Sequence, residues 1–96
     1  MRRDEAIRRL AAAQTTLGTY NVKTLYLFGS VARDEASDES DVDLLVEFDQ
    51  TPSLFEFARL RRTLAEILGR PVDLVTRLAL KEQLRSRILA EAVRAA

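Results

Sequence analysis

Apolar residues near the N-terminus recur at helical spacing. Ile7, Leu10, Ala11 and Leu17 form one stripe, with Arg2, Arg3, Glu5, Arg8 and Arg9 mostly outside it. That pattern predicts an amphipathic helix over 3–17, with Gly18 as its C-terminal stop. The period then changes. Leu25-Tyr26-Leu27-Phe28 is a short apolar run ending at Gly29 and reads as a buried strand. Ser30 to Arg33 fits one helical turn, and residues 34–40 lack apolar weight and read as a loop. Alternation follows over 41–48, with Val42, Leu44, Val46 and Phe48 on one face and Asp41, Asp43, Leu45 and Glu47 on the other. Ser53 and Glu56 ahead of an apolar run form a capping box. The helix it starts runs to about Leu68, with Phe57, Leu60, Leu64, Ile67 and Leu68 inward, and Gly69 and Pro71 end it. Val72-Asp73-Leu74-Val75 predicts a third strand. Leu80, Leu84, Ile88 and Ala92 predict a last helix from about Leu78 to Ala95. The expected fold class is α/β, a three-stranded mixed sheet with helices mainly on one face.

Composition narrows the chemistry. At 96 residues the chain is expected to be one small domain over 1–96, with no room for a second lobe. A hydrophobic fraction of 47% and a charged fraction of 31% argue against global disorder. Cys and His are both absent, which excludes disulfides, thiolate or imidazole metal ligands, Cys nucleophiles and any triad built on histidine. Chemistry must therefore rest on carboxylates, hydroxyls, Arg, Lys and backbone. No apolar stretch approaches the roughly 18 residues of a membrane span, and the start Met1-Arg2-Arg3-Asp4-Glu5 is no signal peptide. The cytoplasm is the expected compartment, with no membrane partner.

Net charge is zero, with 15 basic and 15 acidic residues, but eight of the acids fall between Asp34 and Asp49, where there is no Lys or Arg. Such a stretch is usually a solvated loop; the other option is a cation site. Asp41 and Asp43 are two apart on a predicted strand, so both leave one face with α-carbons about 6.6 Å apart. Carboxylates that close repel unless a cation lies between them or one is protonated. Alone, the pair reads as a solvent-facing strand edge. Asp73, inside an apolar strand where it costs solvation, shifts the balance toward a hard divalent cation with oxygen ligands. Gly29-Ser30 closes the first strand, where exposed backbone N–H groups can bind phosphate, although a strand-ending Gly with a capping Ser is common. No P-loop or dinucleotide fingerprint is present.

The combination is more specific than its parts. Leu27-Phe28-Gly29-Ser30-Val31-Ala32-Arg33, then Ser40-Asp41-Val42-Asp43-Leu44-Leu45-Val46-Glu47-Phe48, then Pro71-Val72-Asp73-Leu74-Val75 resembles the minimal nucleotidyltransferase (MNT) branch of the DNA polymerase β superfamily. The resemblance covers nearly the whole chain. It implies the small polymerase β-like fold and Mg²⁺-dependent transfer of a nucleoside monophosphate from an NTP, with two ions and ATP as substrate. It assigns Asp41 and Asp43 to metal, and Asp73 to metal or to deprotonation of the acceptor. Gly29, Ser30 and Arg33 would hold the triphosphate. Val31 and Asp34 depart from the branch, in which a basic residue and Gly are frequent at those positions. The resemblance further implies a type VII-like antitoxin in a hetero-oligomer with a HEPN-domain ribonuclease toxin, silencing it by attaching AMP to a tyrosine, with no direct nucleic-acid contact. A module that masks the toxin by contact alone, and a transferase acting on a small molecule, are the competing expectations.

Overall fold

The computed structural model describes residues 1–80 and 82–96. In chain order the elements are α1 (Arg3–Ala11), α2 (Gln14–Thr19), β1 (Val22–Phe28), α3 (Gly29–Ala32), β2 (Val42–Phe48), α4 (Leu54–Leu68), β3 (Val72–Thr76), a 3₁₀ turn (Arg77–Ala79), α5 (Glu82–Glu91) and β4 (Val93–Arg94). The sheet order is β3-β2-β1-β4. β1 pairs antiparallel with both β2 and β4, whereas β2 and β3 run parallel. The sheet is mixed, as expected, but has four strands rather than three.

Strand alternation divides the sheet into two chemically different faces. Leu25 and Leu27 of β1 lie opposite Val46 and Leu44 of β2, and Val42 and Leu44 lie opposite Val72 and Leu74 of β3. All of these are buried in one core with Ala6 and Leu10 of α1, Leu17 of α2 and Leu60, Leu64 and Leu68 of α4. The intervening positions point the other way. There Tyr26 faces Leu45 and Phe28 faces Asp43, while Asp43 and Leu45 face Asp73 and Val75.

The capping box forms as the sequence predicts. The Ser53 hydroxyl accepts from the Glu56 N–H at 3.1 Å, and the Glu56 carboxylate accepts from the Ser53 N–H at 3.4 Å. Gly69 ends the same helix in the left-handed conformation at φ 68°. The Arg9 guanidinium donates to the Leu68 carbonyl at 3.0 Å, a cation at the helix's negative end.

Both ends of the chain differ from expectation. The single helix over 3–17 is two, broken after Ala11. α1 packs on α4 and α2 on β1, so the break redirects the chain from helix to sheet while keeping Leu10 and Leu17 inward. Gly18 lies inside α2; the left-handed residue that turns the chain into β1 is Asn21, at φ 59°. The last helix is shorter than its four-residue stripe suggested. α5 has no buried residue and Leu84 is 46% exposed. Beyond it the chain extends along the open edge of β1. There Ala95 N–H donates to Leu25 O at 2.8 Å and Leu25 N–H donates to Ala96 O at 3.0 Å. Unpaired strand groups outweigh the helix propensity of an Ala-rich segment.

Asp34 also has a structural account. It takes the left-handed conformation at φ 57°, which suits Gly, and its carboxylate accepts the Arg3 N–H at 2.7 Å. It thus caps α1 from a distant loop, where Arg2 at the N-cap position offers no side-chain bond. Asp34→Ala is expected to destabilise the fold by about 1–2 kcal/mol, combining a lost cap with a strained backbone. Asp34→Asn keeps the acceptor and tolerates the conformation, so it should stay within about 0.5 kcal/mol of wild type. Urea unfolding of the two variants checks the difference.

Candidate active site

The acidic face is assembled by strand register. Asp43 and Asp73 are direct neighbours across the parallel pair β2–β3. Asp41 lies one residue before β2 rather than within it, and is exposed. Two contacts hold that entry in place. Val42 N–H donates to Pro71 O at 2.9 Å, and the Arg70 guanidinium donates to Ser40 O at 2.8 Å. The turn after α4 therefore positions the start of β2, and Arg70 belongs to the site although its sequence context carried no signal of that role.

The Asp43 carboxyl is perturbed by its surroundings. Burial pushes its carboxyl above its ordinary value of 3.8, and the charges of Asp73 and Asp41 push it the same way. Arg33 opposes them and Glu91 adds to them. The three aspartates thus lie in one electrostatic neighbourhood. Among the described residues no three acidic side chains converge as ligands of a single ion. The donor set nevertheless fits Mg²⁺, which takes one or two carboxylates and completes its shell with water and phosphate oxygens. A crowded, partly buried carboxylate whose acidic neighbours and burial outweigh Arg33 is what such an ion would relieve.

Gly29 sits where β1 meets α3, at φ 71°. The sequence suggested that glycine leaves room for a triphosphate. The structure gives a nearer reason: a Cβ on Gly29 would collide with the Asp43 carboxylate, coming within 2.9 Å of its Cγ. Ser30, beside it, is half-buried at the start of the same turn. Arg33 closes the turn, and its exposed guanidinium donates from Nε to Glu35 at 3.1 Å and from Nη1 to both oxygens of Glu91, at 3.1 and 3.3 Å. Val31 is 1% exposed and belongs to the core, so that position contributes packing rather than charge. Glu91 also accepts the Gly29 N–H at 3.3 Å. Nothing in the local sequence marks Glu91; only the fold brings it to the site.

Residues 7–96 match the Nucleotidyltransferase domain family. The chain belongs to that family. This nucleotidyltransferase is 42% identical over 74 residues to the protein adenylyltransferase MntA of Thermococcus cleftensis, covering 77% of this chain and 75% of that one. A solved structure assigned as a minimal nucleotidyltransferase superposes with a TM-score of 0.82 at 36% identity, covering 97% of this chain and 95% of the other. A chain from the complex of tri-AMPylated Shewanella oneidensis HEPN toxin with MNT antitoxin superposes at 0.68 and 20% identity, over 95% and 71% of the two chains, a likeness of fold. The chain is thus an enzyme of the nucleotidyl-transfer class, with the fold its motifs implied. No helix among the described residues is long and apolar enough to cross a membrane.

Two outcomes follow for stability. Gly29→Ala should cost about 1–3 kcal/mol from backbone strain alone, plus the displacement of Asp43. Because that second part vanishes when the carboxylate is gone, Gly29→Ala and Asp43→Ala should be non-additive in a double-mutant cycle by denaturant unfolding; additivity would show that the collision is relieved elsewhere. The second concerns pH. The folded chain holds the Asp43 proton more tightly than the unfolded chain, so the protonated form stabilises the fold. That stability is lost as pH rises from 3.8 through the raised folded value. Without divalent cations Asp43→Asn should therefore melt above wild type at pH 7, and the gap should close toward pH 3.8.

Proposed function

We propose that this nucleotidyltransferase transfers AMP from ATP to a tyrosine hydroxyl of a HEPN ribonuclease toxin, and so acts as its antitoxin. The observation that carries the reading is the juxtaposition of Asp43 and Asp73 by the β2–β3 register, beside the turn bearing Gly29, Ser30 and Arg33. Support also comes from the protein adenylyltransferase name of its Thermococcus cleftensis relative and from the fold shared with a chain of the AMPylated toxin complex. With a toxin as acceptor the protein works as part of a hetero-oligomer, and the acceptor surface comes from the partner.

Asp41, Asp43 and Asp73 would hold Mg²⁺, two ions in the fullest arrangement. Bound there, the metal would neutralise phosphate charge and polarise the α-phosphate. The remaining steps belong to this chain. Gly29 N–H, the Ser30 hydroxyl and the Arg33 guanidinium bind the triphosphate and fix its orientation. Asp73, exposed on β3, takes the proton of the incoming hydroxyl. As that oxygen bonds to the α-phosphorus, the bond from the α-phosphorus to the bridging oxygen breaks and diphosphate leaves. A tyrosine hydroxyl, with a pKa near 10, needs such a nearby carboxylate to react at neutral pH.

Intact-mass spectrometry of a purified HEPN partner, incubated with this protein, ATP and Mg²⁺, tests the proposal. One or more AMP masses should appear on the partner. Asp41→Asn and Asp43→Asn should abolish the gain, and Asp73→Asn should abolish it while still binding ATP and the partner. A partner whose mass never changes, but whose ribonuclease activity is suppressed at fixed stoichiometry, would establish masking by contact in place of transfer.

A further inference from the structure

Two of the three donors assigned to the triphosphate, the Gly29 N–H and the Arg33 guanidinium, are already engaged. Glu91, the last residue of α5, accepts from Gly29 N–H and twice from the Arg33 guanidinium. Its carboxylate is anionic and oxygen-rich, and it meets a backbone N–H and a guanidinium together, as a phosphate group does. Its position is otherwise unfavourable. Asp43 lies close enough that Glu91 raises its pKa, with Asp41 and Asp73 adjacent, so Glu91 brings a further negative charge to an acidic site. The Arg33 and Gly29 donors are what offset that repulsion. The element that carries Glu91 is loosely seated. α5 has no fully buried residue, and its main contact with another element is with α3.

We propose that Glu91 is an intramolecular stand-in for phosphate that occupies the nucleotide cradle, and that ATP binds by displacing it and releasing α5. The inference rests on the reading of Gly29, Ser30 and Arg33 as the triphosphate site. The Gly29 N–H carries one hydrogen and cannot serve a carboxylate and a triphosphate at once, and a docked Glu91 holds a negative charge against the phosphates, so nucleotide binding and α5 docking compete. By reciprocity, whatever draws α5 away from the cradle raises nucleotide affinity, and the apparent affinity of the free protein is reduced by the fraction of molecules in which Glu91 is docked.

The variant Glu91→Gln keeps size and a hydrogen-bond acceptor but removes the charge. The ion pair is partly exposed, with side-chain exposures of 44% for Arg33 and 28% for Glu91, so the gain is modest. Calorimetric titration with ATP and Mg²⁺ should show binding about three- to fivefold tighter than wild type. A second measurement needs no variant. In hydrogen exchange on the wild-type protein, amides of Glu82–Glu91 should lose protection when ATP is added. Equal or weaker ATP binding by Glu91→Gln, or unchanged or greater protection of α5 with ATP, overturns the proposal while leaving the transfer reaction standing. ATP binding by neither protein overturns it together with the cradle. Tighter binding by the variant with no AMP transfer to any partner supports the displacement and removes the transfer function.

Discussion

β2 lies parallel to β3 with Val42 against Val72 and Asp43 against Asp73, and the rest of the molecule depends on that register. Side chains alternate across a strand, so the same alignment that stacks Leu44 on Leu74 in the core stacks the two aspartates on the opposite face. A slip of one residue would bury the carboxylates and expose the core. The fold therefore cannot hold its hydrophobic interior together without also forcing two negative charges into adjacency. Apolar burial drives the assembly, and the acidic cluster is carried along with it.

That coupling explains features that otherwise look unrelated. Gly29 is required because the Asp43 carboxylate occupies the space a Cβ would take. Arg70 and Pro71 hold the entry to β2, which keeps Asp41 near the pair. Arg33 is shared between Glu35 and Glu91, so one guanidinium partly balances a site with several acids around it. Functional sites commonly retain local costs of this kind, and the surrounding core must outweigh them.

Local signals carried the middle of the chain and failed at its ends. The capping box at Ser53 and Glu56, the left-handed Gly69 and the alternation through β2 are short-range features, and each appears in the structure as its sequence implies, save that Asp41 falls just before β2. The residues proposed for the site were readable for the same reason: Gly29-Ser30, Asp41, Asp43 and Asp73 sit at strand ends or on one strand face. β4 was not readable, because the Ala-rich sequence favours helix and only the open edge of β1 makes it extended. The break between α1 and α2 was hidden because Leu10 and Leu17, seven residues apart, stay inward with or without it. Glu91 and Arg70 reach the site through contacts with residues distant in sequence, which no local pattern encodes.

The two-residue β4 closes a loop that spans most of the chain, since Tyr26 and Leu27 pair with Arg94 and Val93. The entropic cost of closure grows only slowly with loop length, and the bonds of Ala95 and Ala96 to Leu25 and the burial of Ala95 help to offset it. A pairing of such sequence separation is expected to form after the more local contacts of β1, β2 and α4. Removing the last few residues would thus uncover the edge of β1 and take Ala95 out of the core.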